Sequence, residues 1–401
     1  MKNKISILVV VSLFLLSCQS TTKKKEMADL IDRTMIVAQK HAVAMAASLP
    51  EGRLPRTCEN ERLNTSDSKW WCSGFYPGVL WYLYEYTNND SIRKLAEEFT
   101  MRVENEKYTT DNHDVGFILF CSFGNGLRLT GNESYKEILL TGAKSLSTRF
   151  NGKVGLIRSW DWTPRTHVWQ YPVIIDNMMN LELLLWASEY SKDPVFKNIA
   201  YSHSDKTIEH LFRPDNSSYH VVSFDPETGI PEFKMTWQGV ADESAWARGQ
   251  AWGLYGFTYM YRETKEKRYL EQAQKIANFI INHPRLPGDK IPFHDFDDKE
   301  IPNTYRDASA GAIICSALVE LSVLSDEPLK TQYLDVATQQ IKTLASEQFL
   351  AKPGTNCNFI LKHGVGTYNE HRKGEVDVPL TYADYYFMEA MVRYQKMILK
   401  K

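Results

Sequence analysis

The 401-residue sequence lacks the features that define several large functional classes. Lys and Arg number 47 and Asp and Glu 49, so the net charge is −2 and no basic field exists to attract nucleic acid. No cysteines have CxxC spacing, and no Cys/His cluster has the spacing of a zinc site. Alternating apolar and polar residues do not recur, which argues against a β-rich fold. The composition, with 43% hydrophobic residues, is that of an ordinary globular protein.

An apolar run near the N-terminus is too short to span a membrane. Two lysines within residues 1–4 precede the apolar residues 5–16, which is the pattern of a secretory signal. The following Leu-Leu-Ser-Cys at 15–18 resembles a bacterial lipobox, which implies a signal peptide over 1–17 and a lipid on Cys18. The alternative is a plain secretory signal with a chance cysteine. Residues 18–25 are polar and basic and are predicted to form a tether. We expect a periplasmic or cell-envelope protein that meets the membrane only through this lipid.

Six cysteines occur in the sequence, and five remain if Cys18 carries a lipid. Cys121 and Cys315 lie inside apolar helical runs and are predicted to be small core residues. In an oxidising compartment the sequence allows a disulfide between Cys58 and Cys72.

Apolar spacing predicts about twelve helices in a single domain over 26–401. Six strongly apolar helices share one plan and begin near Gly74, Asp114, Ile175, Ala245, Asp307 and Tyr382. Six amphipathic helices alternate with them, over Glu26–Ala47, Ser91–Val103, Tyr135–Phe150, Phe196–Leu211, Tyr269–Asn282 and Leu329–Glu347. Inner and outer helices in alternation indicate an all-α (α/α)6 toroid, or barrel. The alternative is an open solenoid such as a TPR array, but the repeats are irregular and longer than the roughly 34 residues of TPR units.

Long polar and aromatic stretches come just before the inner helices, at 70–77, 112–116, 158–176, 220–250 and 363–386. In a toroid the N-termini of the inner helices meet at one opening, which we call the mouth. The sequence therefore predicts a mouth lined by Trp, Asp, His and Arg, where helix N-termini favour anions.

Two carboxylates stand at the start of very apolar helices. Asp114 and Asp176 each have aromatic residues nearby, and partial burial would raise the pKa of one of them toward neutrality. Capping the helix N-terminus is the commonest role of Asp at such a position, so each residue taken alone is as readily a cap. Together at one mouth they form a candidate catalytic pair.

Arg248 and Trp252 are four residues apart and so lie on one helix face. Such a pair can hold a carboxylate while the indole stacks on a sugar. The alternative for Arg248 is a structural ion pair with Asp242 or Glu243.

Six further tryptophans precede inner helices and could also stack on a sugar. They are at positions 70, 71, 160, 162, 169 and 237.

Five motifs then appear in a familiar order: WCSGFYPG at 71–78, HDVGF at 113–117, IDNMMN at 175–180, DPETG at 225–229 and SAWARGQAW at 244–252. Together they resemble glycoside hydrolase family 88, the unsaturated glucuronyl hydrolases, more than the related unsaturated rhamnogalacturonyl hydrolases. The resemblance implies an (α/α)6 barrel with catalytic Asp114 and Asp176. It also implies substrate contacts from eight residues, which are Trp71, His113, Trp160, His220, Gln238, Arg248, Trp252 and Tyr368.

The implied enzyme removes a 4,5-unsaturated uronic acid from the non-reducing end of lyase-generated oligosaccharides of the glycosaminoglycan type, by acid-catalysed hydration. It needs no metal or other cofactor. In related enzymes a Ser- and Lys-containing stretch near Tyr368 is linked to sulfated sugars, and here Arg372 and Lys373 take that place without the Ser pattern. The alternatives are a non-catalytic oligosaccharide-binding surface lipoprotein and a conventional inverting glycosidase on the same fold.

Overall fold

The structure is a computed structural model that describes residues 2–164 and 168–400, with side chains described from residue 22 onward. Thirteen α-helices occur in these ranges: α1 (Lys2–Ser48), α2 (Phe75–Thr87), α3 (Asp90–Met101), α4 (Val115–Leu119), α5 (Asn125–Thr130), α6 (Ser134–Ser147), α7 (Leu181–Ser191), α8 (Pro194–His210), α9 (Ala247–Thr264), α10 (Lys267–Asn282), α11 (Ala308–Leu324), α12 (Leu329–Leu344) and α13 (Thr381–Arg393). A π-helical turn, Phe120–Gly124, joins α4 to α5. The described chain therefore has twelve helical rods, as predicted.

Six rods form a closed inner ring. In order these are α2, the joined α4 and α5, α7, α9, α11 and α13, and each packs against the next. The last rod, α13, packs against α2, so the ring closes and the open-solenoid alternative is wrong. Inner helices are apolar on all sides, and α11 is buried from Ala308 to Ser322. The predicted (α/α)6 barrel is confirmed.

The outer helices each cover an inner one and show a single apolar stripe. In α3 the buried residues are Ile92, Ala96, Phe99 and Thr100, which repeat at helical spacing while the remaining side chains face outward. Helix α1 is the outer helix that closes the set, because it packs against α2 and against the π-helical segment Tyr394–Leu399 that follows α13.

Helix α1 runs antiparallel to α2. The Tyr76 hydroxyl, near the start of α2, donates to the carbonyl of Ala42 at 2.7 Å. The Tyr86 hydroxyl, near the end of α2, donates to Asp32. The C-terminal end of α1 thus lies beside the mouth, and its N-terminal part lies toward the opposite end of the barrel.

Nine short strands lie in the loops that precede inner helices, and periodicity alone did not predict them. They are β1 (Leu54–Glu59), β2 (Arg62–Ser66), β3 (Phe150–Asn151), β4 (Leu156–Ile157), β5 (Tyr171–Ile174), β6 (Val221–Phe224), β7 (Pro231–Met235), β8 (Gly364–Tyr368) and β9 (Lys373–Val378). All pairings are antiparallel: β1 with β2, β3 with β4, β5 with β6 and β7 in one sheet, and β8 with β9. These small sheets hold the mouth loops in place.

The disulfide differs from the pairing that the sequence left open. Cys58 on β1 bonds Cys357, 299 residues away, whereas Cys72 is a buried free thiol. The Cys58–Cys72 pairing was therefore wrong. Cys121 and Cys315 are buried free thiols, in agreement with their predicted core role.

The predicted signal peptide over 1–17 and the lipobox at Cys18 concern side chains outside the described residues. The helical backbone of α1 continues through the predicted tether at 18–25. Within the part of the chain whose side chains are described, none of the helices is both long enough and apolar enough to span a bilayer. The boundaries at 17 and 25 stay predictions.

We expect loss of the Cys58–Cys357 bond to lower the free energy of unfolding by about 2–4 kcal/mol, because the bond closes a very long loop in the unfolded chain. Denaturant unfolding of Cys58→Ser against the parent chain measures this difference. As the control, a reductant should destabilise the parent and leave Cys58→Ser unchanged. Equal sensitivity of both chains to reductant would contradict the assignment.

Candidate active site

Asp114 immediately precedes α4 at the mouth, and its side chain is 13% exposed. It occupies the N-cap position but makes no side-chain capping hydrogen bond. By contrast, Asp193 caps α8 by accepting from the Val195 N–H, and Asp307 caps α11 by accepting from the Ser309 N–H. The cap interpretation of Asp114 is therefore wrong, and its carboxyl group is available for other chemistry.

Asp176 lies in the 3-10 helix Ile175–Asn180 that leads into α7, and its side chain is 11% exposed. Its Oδ1 atom is buried and has no hydrogen-bond partner. Burial raises the pKa of Asp176 to about 7, while the nearby Arg248 guanidinium, a backbone N–H and the Trp252 indole lower it. The carboxyl group can therefore hold a proton close to neutral pH.

The two carboxyl groups act on each other. Burial raises the pKa of Asp114 to about 8, with a further upward contribution from the negative charge of Asp176, while Arg149 lowers it. Asp114 and Asp176 thus lie close enough to titrate as a coupled pair. Such a pair retains at least one proton near neutral pH.

His220, which follows α8 and precedes β6, lies against Asp176. Its Nδ1 atom accepts hydrogen bonds from the backbone N–H groups of Trp237 and Gln238, at 3.0 and 3.2 Å. The proton of the neutral ring must therefore be on Nε2, which is 3.8 Å from Oδ1 of Asp176. Burial and the positive charge of Arg248 hold the pKa of His220 well below its usual range. His220 is a neutral N–H donor at the site.

Arg248 and Trp252 lie in the first turns of α9 and are almost fully buried. The Arg248 guanidinium donates to the carbonyls of Val365 and Gly366 on β8, and Nη1 lies 3.4 Å from Asp307. The predicted structural partners Asp242 and Glu243 were therefore wrong, because Arg248 pairs with Asp307. The Nε atom of Arg248 has no hydrogen-bond partner, and the indole N–H of Trp252 acts on the Asp176 carboxyl group, whose pKa it lowers.

His113 and Trp71 complete the carboxylate side of the mouth. His113 is buried, and its Nε2 atom is 3.4 Å from Asp114, while burial and Arg149 lower its pKa to about 3. Trp71 precedes α2 and packs edge-on against Phe117, with ring centroids 5.6 Å apart. His113 therefore lies beside Asp114, and Trp71 lies against α4, the helix that Asp114 precedes.

Another part of the mouth is a tryptophan cluster, which we define by Trp160, Trp162, Trp169 and Trp237. Trp160 stacks on Trp162 with centroids 4.9 Å apart and is edge-on to His220 at 6.1 Å. Trp162 remains 43% exposed and offers an open aromatic face. The structure thus connects Trp160 to the site through His220.

Gln238 and Tyr368 lie at the rim of the mouth. The Gln238 amide donates to the Gly366 carbonyl at 3.0 Å, and the Tyr368 N–H donates to the Gln238 carbonyl at 3.5 Å. The Tyr368 ring packs edge-on against His294 and Tyr305. Tyr368 thus contacts Gln238, another predicted site residue, while none of its described ring contacts reaches Asp114 or Asp176.

Sequence reasoning missed Arg149. Its side chain is 4% exposed, and it donates to the carbonyls of Thr110 and Arg158 at 2.6 and 2.9 Å while pairing with Asp161. It thereby connects the loop before Asp114 to the loop that carries Trp160. Arg149 belongs to no recognisable motif, so no signal in one sequence would have found it.

A cavity of about 530 Å³ lies at the other end of the barrel. Among its lining residues are Glu85, Arg128, Arg262 and Lys396, which lie near the C-terminal ends of inner helices. Its charges are engaged in ion pairs, such as Arg128 with Glu85 at 2.6 Å and Arg262 with Glu320 at 3.0 Å. Among the residues that the structure describes, no group of three or more His, Cys, Asp or Glu side chains could hold a metal ion.

A closed double ring of helices, with two proton-holding carboxyl groups among tryptophans at one opening, defines an (α/α)6 barrel suited to acid–base chemistry on a sugar. The family model of Glycosyl Hydrolase Family 88 matches residues 37–398. The chain therefore belongs to Glycosyl Hydrolase Family 88, and it is a glycoside hydrolase.

Individual proteins with similar sequences or structures support this family assignment. The unsaturated glucuronyl hydrolase of Formosa agariphila is 42% identical, and the match covers 100% of both chains. The unsaturated chondroitin disaccharide hydrolase of Streptococcus pyogenes serotype M1 is 34% identical, with 85% of each chain covered. A solved unsaturated glucuronyl hydrolase specific for heparin superposes with a TM-score of 0.88 at 44% identity, covering 92% of this chain and 98% of that one.

The raised carboxyl pKa values predict a pH-dependent stability. Folding raises the pKa of Asp114 to about 8 and that of Asp176 to about 7 from an ordinary 3.8, so the folded state holds their protons more tightly. Their contribution to stability is fully present below about pH 4 and is lost as pH rises through 7 to 8. We therefore expect the melting temperature of the double variant Asp114→Asn/Asp176→Asn, relative to that of the parent, to be several degrees higher at pH 8 than at pH 5.

Differential scanning calorimetry at both pH values measures this gain. Asp67→Asn, at an exposed position, is the control and should follow the parent at each pH. A constant difference between the double variant and the parent would contradict the buried, proton-holding pair.

Proposed function

We propose that this enzyme removes a 4,5-unsaturated uronic acid from the non-reducing end of oligosaccharides produced by polysaccharide lyases. The observation that carries the proposal is the coupled pair Asp114 and Asp176, whose carboxyl groups hold a proton near neutral pH at the mouth of the barrel. The names of the relatives support the same activity.

The substrate is a vinyl ether, since C5 of its C4=C5 double bond also carries the ring oxygen. Asp176 donates its proton to C4, the double-bond electrons form the C4–H bond, and the ring oxygen stabilises the positive charge at C5. Water adds at C5 and returns a proton to the Asp176 carboxylate. The resulting hemiketal opens to a ketone at C5, and C1 becomes an aldehyde as it releases the next sugar. Atoms and protons balance without a cofactor.

The remaining mouth residues suit the other needs of this reaction. The neutral His220 presents its Nε2–H beside Asp176, and the Arg248 charge favours an anion near the carboxyl pair. Asp114 and His113 orient the sugar on the opposite side. Trp71, Trp160 and Trp252 supply indole faces or edges, and Gln238 and Tyr368 lie at the rim, where the next sugar would enter.

A glycosaminoglycan-type substrate is the favoured class. A Streptococcus agalactiae relative, 28% identical with a TM-score of 0.77, was solved with dGlcA-GalNAc6S bound. In this chain Arg372 is exposed on the hairpin of β8 and β9, with its guanidinium carbon 5.2 Å from the Trp237 ring centroid. A cation at the rim of the mouth favours oligosaccharides that carry negative groups beyond the unsaturated sugar.

We also propose that the enzyme is exported and anchored through a lipid on Cys18, after removal of residues 1–17. Two observations support export: the lipobox-like sequence at 15–18, and the Cys58–Cys357 disulfide, since disulfides persist in oxidising compartments. Metabolic labelling with a radioactive fatty acid, with Cys18→Ser as the control, tests the anchor. Equal labelling of both chains would refute it.

Incubation with lyase-generated unsaturated disaccharides is expected to remove the ultraviolet absorbance of their conjugated double bond, because hydration destroys it. A panel of hyaluronan, chondroitin, heparin and gellan products, each with and without sulfate where available, identifies the preferred parent chain. Saturated disaccharides are the control and should stay intact. Persistent absorbance across the panel, or cleavage of the saturated controls, would refute the proposed reaction.

Replacing Asp176 by Asn is expected to lower kcat by about 10²–10⁴-fold, because the proton donor is removed. In the parent chain, kcat should fall as pH rises above about 7, where Asp176 loses its proton. The ultraviolet assay across pH 5–9 measures both effects.

Asp384→Asn is the matched control, because burial also raises the pKa of Asp384 to about 7. Its carboxylate accepts the Ile360 and Leu361 N–H groups at 2.9 and 2.8 Å, so its substitution should affect stability and leave kcat near normal. Near-normal turnover in Asp176→Asn would move the proton donor to another residue.

A further inference from the structure

Helix α4 begins in an unusual way for this chain. Asp114 is at its N-cap, yet the carboxyl group does not accept a hydrogen bond from the first turn. The N-cap side chains of Asn89, Asp193 and Asp307 each make such a bond, to the N–H groups of Ser91, Val195 and Ser309. A capping side chain normally accepts from the second or third residue of its helix, which in α4 means Gly116 or Phe117.

The missing acceptor comes from another segment. Oδ1 of Asn180 accepts the Phe117 N–H at 3.0 Å, in a fully buried position. Asn180 ends the 3-10 helix that contains Asp176, four residues earlier. The bond therefore joins the segment of one catalytic carboxyl group to the helix that starts at the other.

Gly116 makes this close approach possible. A Cβ atom at position 116 would lie 2.5 Å from the Asn180 Cα and 2.7 Å from its Oδ1, which no side chain could tolerate without moving the backbone. The glycine of HDVGF and the last asparagine of IDNMMN therefore meet at one point. This contact explains why the first motif has a glycine at 116 and the second an asparagine at 180.

We propose that Asn180 is a positioning residue that caps α4 in place of Asp114, and so leaves the Asp114 carboxyl group free to face the substrate. The inference rests on the proposed function, because it assigns Asp114 a part in the reaction. Without the Asn180 oxygen, the buried Phe117 N–H would have no hydrogen-bond partner, which is unfavourable in a site closed to water. The neighbouring Asp114 side chain could relieve that cost only by rotating into the ordinary capping position, away from the sugar.

The first test is Asn180→Ala. We expect kcat to fall about 100-fold, as for other small displacements of a catalytic group, while circular dichroism stays that of a folded helical protein. The alkaline limb of the pH–rate profile should also move to higher pH, because an Asp114 carboxylate that accepts a backbone N–H ionises at lower pH, and its negative charge then disfavours loss of the Asp176 proton. A merely structural loss would lower kcat at every pH without moving the limb.

The decisive test is a double-mutant cycle with Asp114→Asn, whose amide can still cap α4. If Asn180 acts through Asp114, adding Asn180→Ala to Asp114→Asn should change the residual activity by less than about threefold. A further 100-fold loss in that background would overturn the proposal. An inactive parent chain would instead refute the proposed function, so the two failures are distinguishable.

Two further variants complete the test. Asn180→Asp retains an acceptor for the Phe117 N–H and should keep kcat within about tenfold of the parent. An equal loss in Asn180→Asp and Asn180→Ala would contradict a capping role.

Asn125→Ala is the matched control, because Asn125 is also a buried asparagine of an inner helix. Its side-chain amide donates a hydrogen bond to the Tyr385 hydroxyl of α13 at 3.1 Å, in the half of the barrel away from the mouth. This variant should lower the melting temperature and leave kcat and the pH–rate profile unchanged.

Discussion

The withdrawal of two carboxyl groups from water, side by side at the mouth of the barrel, is the constraint on which the rest of the site depends. Each group is disfavoured in its charged form by burial, and the charge of Asp176 adds to the effect on Asp114. The barrel keeps them together, because each carboxyl group lies just before an inner helical rod and the inner rods form a closed ring. Around them, Arg149 limits how far the pKa of Asp114 rises, and Arg248 does the same for Asp176.

The loops at the mouth depend on the same ring. Their strands are only two to six residues long, and two of the small sheets are held by residues that also belong to the candidate site. Arg248 on α9 donates to two carbonyls of β8, and the Nδ1 atom of His220 accepts from the segment after β7. Side chains of the candidate site therefore also hold the loops, so a substitution such as Arg248→Ala would alter loop geometry together with charge.

The sequence predicted the twelve-rod barrel well because inner helices such as α11 are apolar on every side while outer helices such as α3 show one stripe. The motif residues around Asp114 and Asp176 came together for the same reason, since inner-helix N-termini share one mouth. The partners that it missed are distant in sequence. Cys357 lies 299 residues from Cys58, Asp307 lies 59 residues from Arg248, and Arg149 stands in no motif, so periodicity and local spacing carry no information about them.

The antiparallel course of α1 and α2 has a geometric consequence for an anchored enzyme. Because Asp32 lies beside the far end of α2, residue 18 is about 20 Å further from the mouth along the continuous helix. A lipid on Cys18 would hold the barrel with that far end nearest the bilayer. The catalytic opening would then point outward into the aqueous phase, where freely diffusing sugar chains could enter without first crossing the headgroup layer.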